Sequence, residues 1–331
     1  MLSIRVLFTP TLVTLAALAH AQPEQALTLN RHGLEAEARQ DYVTAERYYR
    51  GAVEIYRTLG APYEPHLTIT LFNLAETICG EGRWRESASV FQESLDVSRR
   101  ANGPKHIRTV AAMNALGHVE TMLAAFDSAE ARFNEAAAIT RELYPHDIQL
   151  AYALAGISSI RLRAGLPDEA LPYAAEALRI TIEAEPKEGV ESATMYQNVG
   201  RIHRAAGHSE LALPLLRKAR AIYERVAPND PRYATSLSDE GLALMDDGKL
   251  VAAQTDMKHA IRLLEPCPGC GFQLAVARNN LGLLRFRQKK YAEAADLLGQ
   301  ALEEEQRYSP ADAAQIRKTK TALDQVRSAL R

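Results

Sequence analysis

Most of the features by which a sequence announces chemistry are missing from this chain. No sign of charge dominates: 39 Lys and Arg stand against 41 Asp and Glu. Nucleic-acid binding needs a concentrated basic face, so that balance excludes DNA or RNA as the main partner. Beyond the first twenty residues no apolar run is long enough to cross a bilayer. Cysteine is scarce, at three residues, and no N-x-S/T acceptor occurs. Nowhere is there G-x-S-x-G, a P-loop, H-E-x-x-H or G-x-G-x-x-G. His203 and His208 are five apart, on different helical faces rather than at a ligand spacing. No catalytic set, metal site or cofactor is expected, and the chain does not read as an enzyme. Strand-type alternation is absent too.

What is present begins at the N-terminus. Arg5 precedes the apolar stretch Val6 to Ala19, and Ala19-His20-Ala21 has the small-x-small pattern of a cleavage site. A bilayer span needs about 20 apolar residues, and Pro10 interrupts this shorter stretch. Residues 1–21 are therefore expected to be an export signal, and the product, starting at Gln22, to be periplasmic or secreted. An oxidising compartment would let Cys267-Pro-Gly-Cys270 close a small disulfide loop, the alternative being two free thiols in a loop. Redox enzymes place C-x-x-C at a helix start in a βαβ setting, which is not read here. Zinc would need two further ligands, and Cys79 reads as a buried spare.

The dominant signal is a period. Gly33, Ala75, Gly117, Ser158, Gly200, Gly241 and Gly282 recur at intervals of 41 or 42 residues. Counting each as position 8, position 17 holds Tyr42, Trp84, Phe126, Pro167, Ser209, Leu250 or Tyr291. Positions 20 and 27 are small throughout, as in Ala294 and Ala301. A fixed period of this size means stacked supersecondary units. Positions 1–14 and 16–35 read as two helices, because apolar residues such as Leu281, Leu284, Leu298 and Leu302 fall at helical spacing. Gly82, Gly165, Gly207 and Gly248 at position 15 suit the left-handed residue that ends a helix. A proline follows each second helix: Pro62, Pro104, Pro145, Pro186, Pro228, Pro268 and Pro310. Small residues at 8, 20 and 27 let paired helices approach to the short end of the 8–10 Å range.

Asn280-Leu281-Gly282 through Tyr291-Ala292-Glu293-Ala294 to Ala301 resembles the tetratricopeptide repeat, as do Asn114-Ala115-Leu116-Gly117 and Asn198-Val199-Gly200. The longer period is similar to that of kinesin light chains and their bacterial relatives. The resemblance implies an all-α, right-handed superhelical solenoid of antiparallel helix pairs. A single solenoid domain is expected over 22–331, with repeats at 26–67, 68–109, 110–150, 151–192, 193–233, 234–274 and 275–315. Residues 316–331 carry one apolar stripe (Ile316, Thr319, Leu323, Val326, Leu330) and are expected to form a capping helix. Repeat four departs most, with Ser158, Pro167 and Ala174 at positions 8, 17 and 24.

Solenoids of helix pairs bind along the face lined by their first helices. Asparagine is a mediocre helix former, yet it recurs there at position 5 or 6. In relatives, asparagines at such places hold peptide backbone and nearby basic residues hold carboxylates. The resemblance thus nominates Asn73, Asn114, Asn198 and Asn280, with Arg201 and Arg204 as charge partners; His118 and Arg287 share the face. The competing reading is that these asparagines hold neighbouring helices together. The expected function is a scaffold for a protein or peptide partner. The alternative is a structural spacer or self-associating envelope component, and homo-oligomerisation stays open.

Overall fold

A computed structural model describes residues 10–39, 41–185, 187–267, 269–308 and 313–330. Among them are fifteen α-helices and no strand. Contacts divide the chain into two compact units, Met1–Ala112 and Met113–Arg331, with the division inside one helix.

The first unit holds α1 (Pro10–Glu37), α2 (Tyr42–Leu59), α3 (Glu64–Gly80), α4 (Trp84–Ala101) and the start of α5 (Ile107–Met122). Helices α1 and α2 form one pair, α3 and α4 the next, and α2 packs on α3. Of the expected leader, residues 1–9 lie outside the described residues and 10–21 form the beginning of α1. Fully buried Tyr49, Tyr56, Leu71 and Ile78 make the core.

The second unit continues with α6 (Phe126–Leu143), α7 (Ile148–Arg163), α8 (Pro167–Ala184), α9 (Val190–Ala205), α10 (Ser209–Val226) and α11 (Pro231–Asp246). It ends with α12 (Leu250–Leu264), α13 (Gly271–Arg287), α14 (Tyr291–Tyr308) and α15 (Ala313–Ala329). Each odd-numbered helix from α7 to α13 pairs with its successor, and each second helix packs on the next first helix. From repeat two onward the first helices begin three or four residues earlier than the repeat pattern suggests. Asp147 and Asp230 explain two of these starts, since their carboxylates accept the Gln149 and Arg232 backbone N–H at 2.9 and 2.8 Å. Pro172 and Pro214 sit inside α8 and α10 without ending either helix. Of the loop prolines, Pro186, Pro268 and Pro310 lie outside the described residues.

The periodic small residues have a specific counterpart. Position 8 of a repeat meets position 24 across the helix pair. A Cβ at Gly33 would lie 2.5 Å from the Tyr49 ring, and one at Gly117 2.9 Å from Phe133. At Gly200, Gly241 and Gly282 it would lie 2.8–2.9 Å from Leu216, Met257 and Leu298. Those distances admit no side chain, so glycine here is a condition of packing rather than of backbone conformation. Repeat four exchanges the sizes: the larger Ser158 at position 8 goes with the smaller Ala174 at position 24, both 2% exposed. Repeat two has serine where others have alanine at positions 20 and 27. Its Ser87 and Ser94 hydroxyls donate to the carbonyls of Ala75 and Thr68 at 2.8 and 3.0 Å, which satisfies two buried polar groups.

The turn within repeats two to seven is a left-handed cap. Gly82, Gly165, Gly207 and Gly248 have φ between 75 and 82°. Repeats three and seven use Ala124 (φ 59°) and Lys289 (φ 60°) at the same position. The backbone bonds match: His208 N–H reaches the His203 carbonyl at 2.9 Å, and Lys290 N–H the Arg285 carbonyl at 2.9 Å. This six-residue closure is the Schellman motif.

At the C-terminus α15 packs on α14, burying Leu323 and Val326 against Ala294 and Leu298. The expected apolar stripe is realised except at Leu330. That residue follows the last helical residue and is half exposed.

Candidate functional site: the face of the first helices

In the second unit α7, α9, α11 and α13 contact one another in sequence and so form one layer. Its polar side chains are linked from repeat to repeat. Gln197 on α9 donates to Asp239 on α11 at 2.7 Å, and Arg201 lies 3.6 Å from the same carboxylate. Asp246, near the end of α11, takes Arg204 from one neighbour at 3.2 Å and Arg287 from the other at 3.4 Å. The Arg287 guanidinium also donates to the Met245 carbonyl at 3.0 Å. Plus and minus thus alternate along the stack, a pattern that fixes repeat register more than it adds stability, since partly exposed pairs are worth about 0.2–1 kcal/mol each.

The four nominated asparagines divide into two kinds. Asn114 donates to the Gln149 carbonyl and side chain at 2.9 and 3.0 Å, and Asn280 donates to Ser238 at 2.9 Å. Both are under a tenth exposed and hold adjacent first helices together. Asn198 is half-buried on α9 and its carboxamide has no partner among the described residues. Asn73, on α3 of the first unit, is likewise half-buried without a side-chain partner. A carboxamide offers donors and an acceptor at once, so Asn198 can take both groups of an extended main chain. Arg201 follows it on α9, with Arg204 one turn further on. The Arg204 Nε is buried with no acceptor. His118 on α5 is exposed, yet the protein packed around it desolvates the ring enough to hold its pKa below the usual value. Its open surface, rather than that depression, decides that a ligand can reach it.

A different cluster escaped sequence reasoning. Glu240 occupies position 7 of repeat six, where repeat one has His32 and the other five have Leu74, Leu116, Ile157, Val199 and Leu281. It is 3% exposed and takes Arg217 and Arg220 of α10 at 3.2 and 3.3 Å. Arg220 also reaches Asp256 of α12, at 3.5 Å. The four line a cavity of about 590 Å³ between α10 and α12. Burial, and then the Glu240 charge, push the Asp256 carboxyl up to about 6. The break in an aliphatic column was the signal available for it.

Cys267 and Cys270 are joined in a disulfide, with Cα atoms 5.5 Å apart. Cys79 is a free thiol. Among the described residues no cluster of His, Cys, Asp and Glu could hold a metal ion, and no helix is long and apolar enough to cross a membrane.

Comparison with known proteins supports the reading of the repeats. Family models described as tetratricopeptide repeat match residues 66–142, 149–225 and 274–304, together more than half of the chain. No curated protein sequence matches it. Among solved structures, the Rap conjugation gene regulator of plasmid pLS20, in complex with the Phr* peptide, aligns with TM-score 0.70 at 12% identity, covering 95% of this chain and 81% of that one. The apo form of RapI aligns with TM-score 0.65 at 14% identity, covering 86% and 98%. BtubC (BKLC) from P. vanneervenii aligns with TM-score 0.51 at 18% identity, covering 73% and 91%. At these identities the likeness is one of fold. The matched repeats, the helix pairs and their position-8 contacts agree: the chain belongs to the tetratricopeptide-repeat family.

Proposed function

We propose that this protein is an exported interaction scaffold that holds an extended, acidic peptide segment against the first-helix face of its second unit. The observation that carries the reading is the carboxamide of Asn198, partnerless among the described residues, beside Arg201 and Arg204, on a face where the amide nitrogens of Asn114, Gln197 and Asn280 are all engaged. Asn198 takes the peptide main chain. The arginines, which outnumber the carboxylates of Asp239 and Asp246 once Arg287 is counted, take a carboxylate. The pLS20 Rap structure, similar in fold, was solved with a peptide. Export rests on the Arg5, apolar stretch and Ala19-His20-Ala21 sequence.

Selection from a random peptide-display library tests the groove. Wild-type protein is expected to enrich sequences with an acidic residue or terminal carboxylate. Asn198→Ala and Arg204→Ala should lose that enrichment while keeping their helical circular dichroism. Enrichment that survives both substitutions refutes the site. Export is checked by the N-terminal mass of protein from the envelope fraction, expected to begin at Gln22.

A further inference from the structure

The C-x-x-C pair has no part in peptide capture, and its placement gives it a chemistry of its own. Cys267 follows the end of α12 and is half-buried. Cys270 is 4% exposed and is the N-cap residue of α13, a helix of 17 residues. The Cα atoms of the bonded pair are 5.5 Å apart. Cys270 N–H lies 3.3 Å from the Cys267 carbonyl, and Gly269 takes φ 82°. The two sulfurs are therefore unequal in just the respects that govern exchange: access for the attacking thiolate, and stability of the thiolate that leaves. An outside thiol reaches Cys267 more readily. The Cys270 side chain makes no capping hydrogen bond, but a thiolate there would lie at the positive end of the helix dipole. Among the described residues there is no strand to make the βαβ setting usual for redox C-x-x-C motifs, but the second cysteine does stand at a helix start.

We propose that Cys267–Cys270 is a reversible thiol–disulfide exchange site whose co-reactant is a dithiol. In the reducing direction one thiolate of the dithiol attacks Sγ of Cys267. The Cys267–Cys270 bond breaks, and its electron pair leaves on Sγ of Cys270. The second thiolate of the dithiol then attacks its own mixed disulfide and releases the Cys267 thiolate. The dithiol is oxidised by two electrons, the pair is reduced by two, and the two thiol protons pass to the cysteines. Cys79 does not compete, because burial pushes its thiol up to about 12 and leaves almost no thiolate at neutral pH.

The full chain is treated with dithiothreitol at pH 7 without denaturant, quenched with acid and labelled with a maleimide polymer. Reduction of the pair is expected while helical circular dichroism is unchanged. In a second arm, Cys270→Ser (leaving Cys267) and Cys267→Ser (leaving Cys270) are exposed to oxidised glutathione. Cys267 should form the mixed disulfide about tenfold faster, because access limits the buried thiol. A disulfide that yields only when the chain is unfolded marks a structural staple and overturns the proposal. So does an equal or reversed rate for the two single variants. The wild-type arm decides the matter should either variant fail to fold.

Discussion

Replacing Asp256 with Asn should make the protein more stable at neutral pH, although it removes an ion-pair partner. Asp256 is 8% exposed at the floor of the α10–α12 cavity. Its one guanidinium contact, Arg220 at 3.5 Å, is shared with Glu240 at 3.3 Å. Glu240 also holds Arg217, while Glu224 lines the same cavity, and Tyr233 and His259 stand on α11 and α12. Desolvation and the Glu240 charge outweigh Arg220 and Arg217, so the carboxyl rises from 3.8 to about 6. At 1.36 kcal/mol per unit, that shift corresponds to about 3 kcal/mol as an upper figure, and about 1–3 kcal/mol once the lost Arg220 contact is set against it.

The sign follows from proton binding. The folded state holds this proton more tightly than the unfolded state, so the group's contribution is most favourable below about 3.8. It is lost as pH rises to about 6 and stays lost above that. Asn carries no such charge at any pH. Urea unfolding at pH 4 and pH 7 should therefore show the Asn variant gaining stability over wild type mainly at pH 7. Amide exchange along α12 localises the effect, since repeat arrays unfold in parts. An Asn variant less stable than wild type at pH 7, or one with the wild-type pH slope, would show that Arg220 compensates the charge and refute the reasoning.

Three further outcomes test the packing, and a fourth serves as their control. Lys289→Gly should raise stability by about 0.5–1 kcal/mol in thermal or urea unfolding, because an L-residue is strained at φ 60° while glycine is not. Gly200→Ala should cost about 1–3 kcal/mol, because the new methyl meets Leu216 at 2.8 Å; pairing it with Leu216→Ala should be less than additive in a double-mutant cycle. Asn280→Ala should lower stability by about 1–3 kcal/mol, since it leaves the buried Ser238 hydroxyl without its donor. Asn198→Ala should leave the urea midpoint within error.

The fold was legible in the chain because its period reports a steric fit that repeats. Gly33 with Tyr49, Gly117 with Phe133 and Gly282 with Leu298 are the same contact written three times. The left-handed turns were legible only where glycine fills them. Ala124 and Lys289 occupy the same φ because the repeat on either side imposes it, and no local propensity reveals that. The earlier helix starts were hidden for a related reason. The caps at Asp147 and Asp230 lie in the variable loops, outside the periodic positions that carried the pattern.

The candidate site was only half legible, and the reason lies in register between repeats. Asn73, Asn198 and Asn280 occupy position 6 and Asn114 the adjacent position 5, so periodicity nominates them together. Their fates depend on what the neighbouring repeat offers: Gln149 to Asn114, Ser238 to Asn280, and nothing to Asn198, beside which Gln197 takes Asp239. A paired carboxamide must lose a bond to hold a ligand, whereas an unpaired one already lacks it, and the free-energy difference is about one buried hydrogen bond. Periodicity can therefore nominate a face but not choose the residue on it. The same logic exposes Glu240, where the repeat is broken and the surrounding arginines show what the break is for. In a repeat protein the departures from the pattern, read with their partners across the stack, are where function is to be sought.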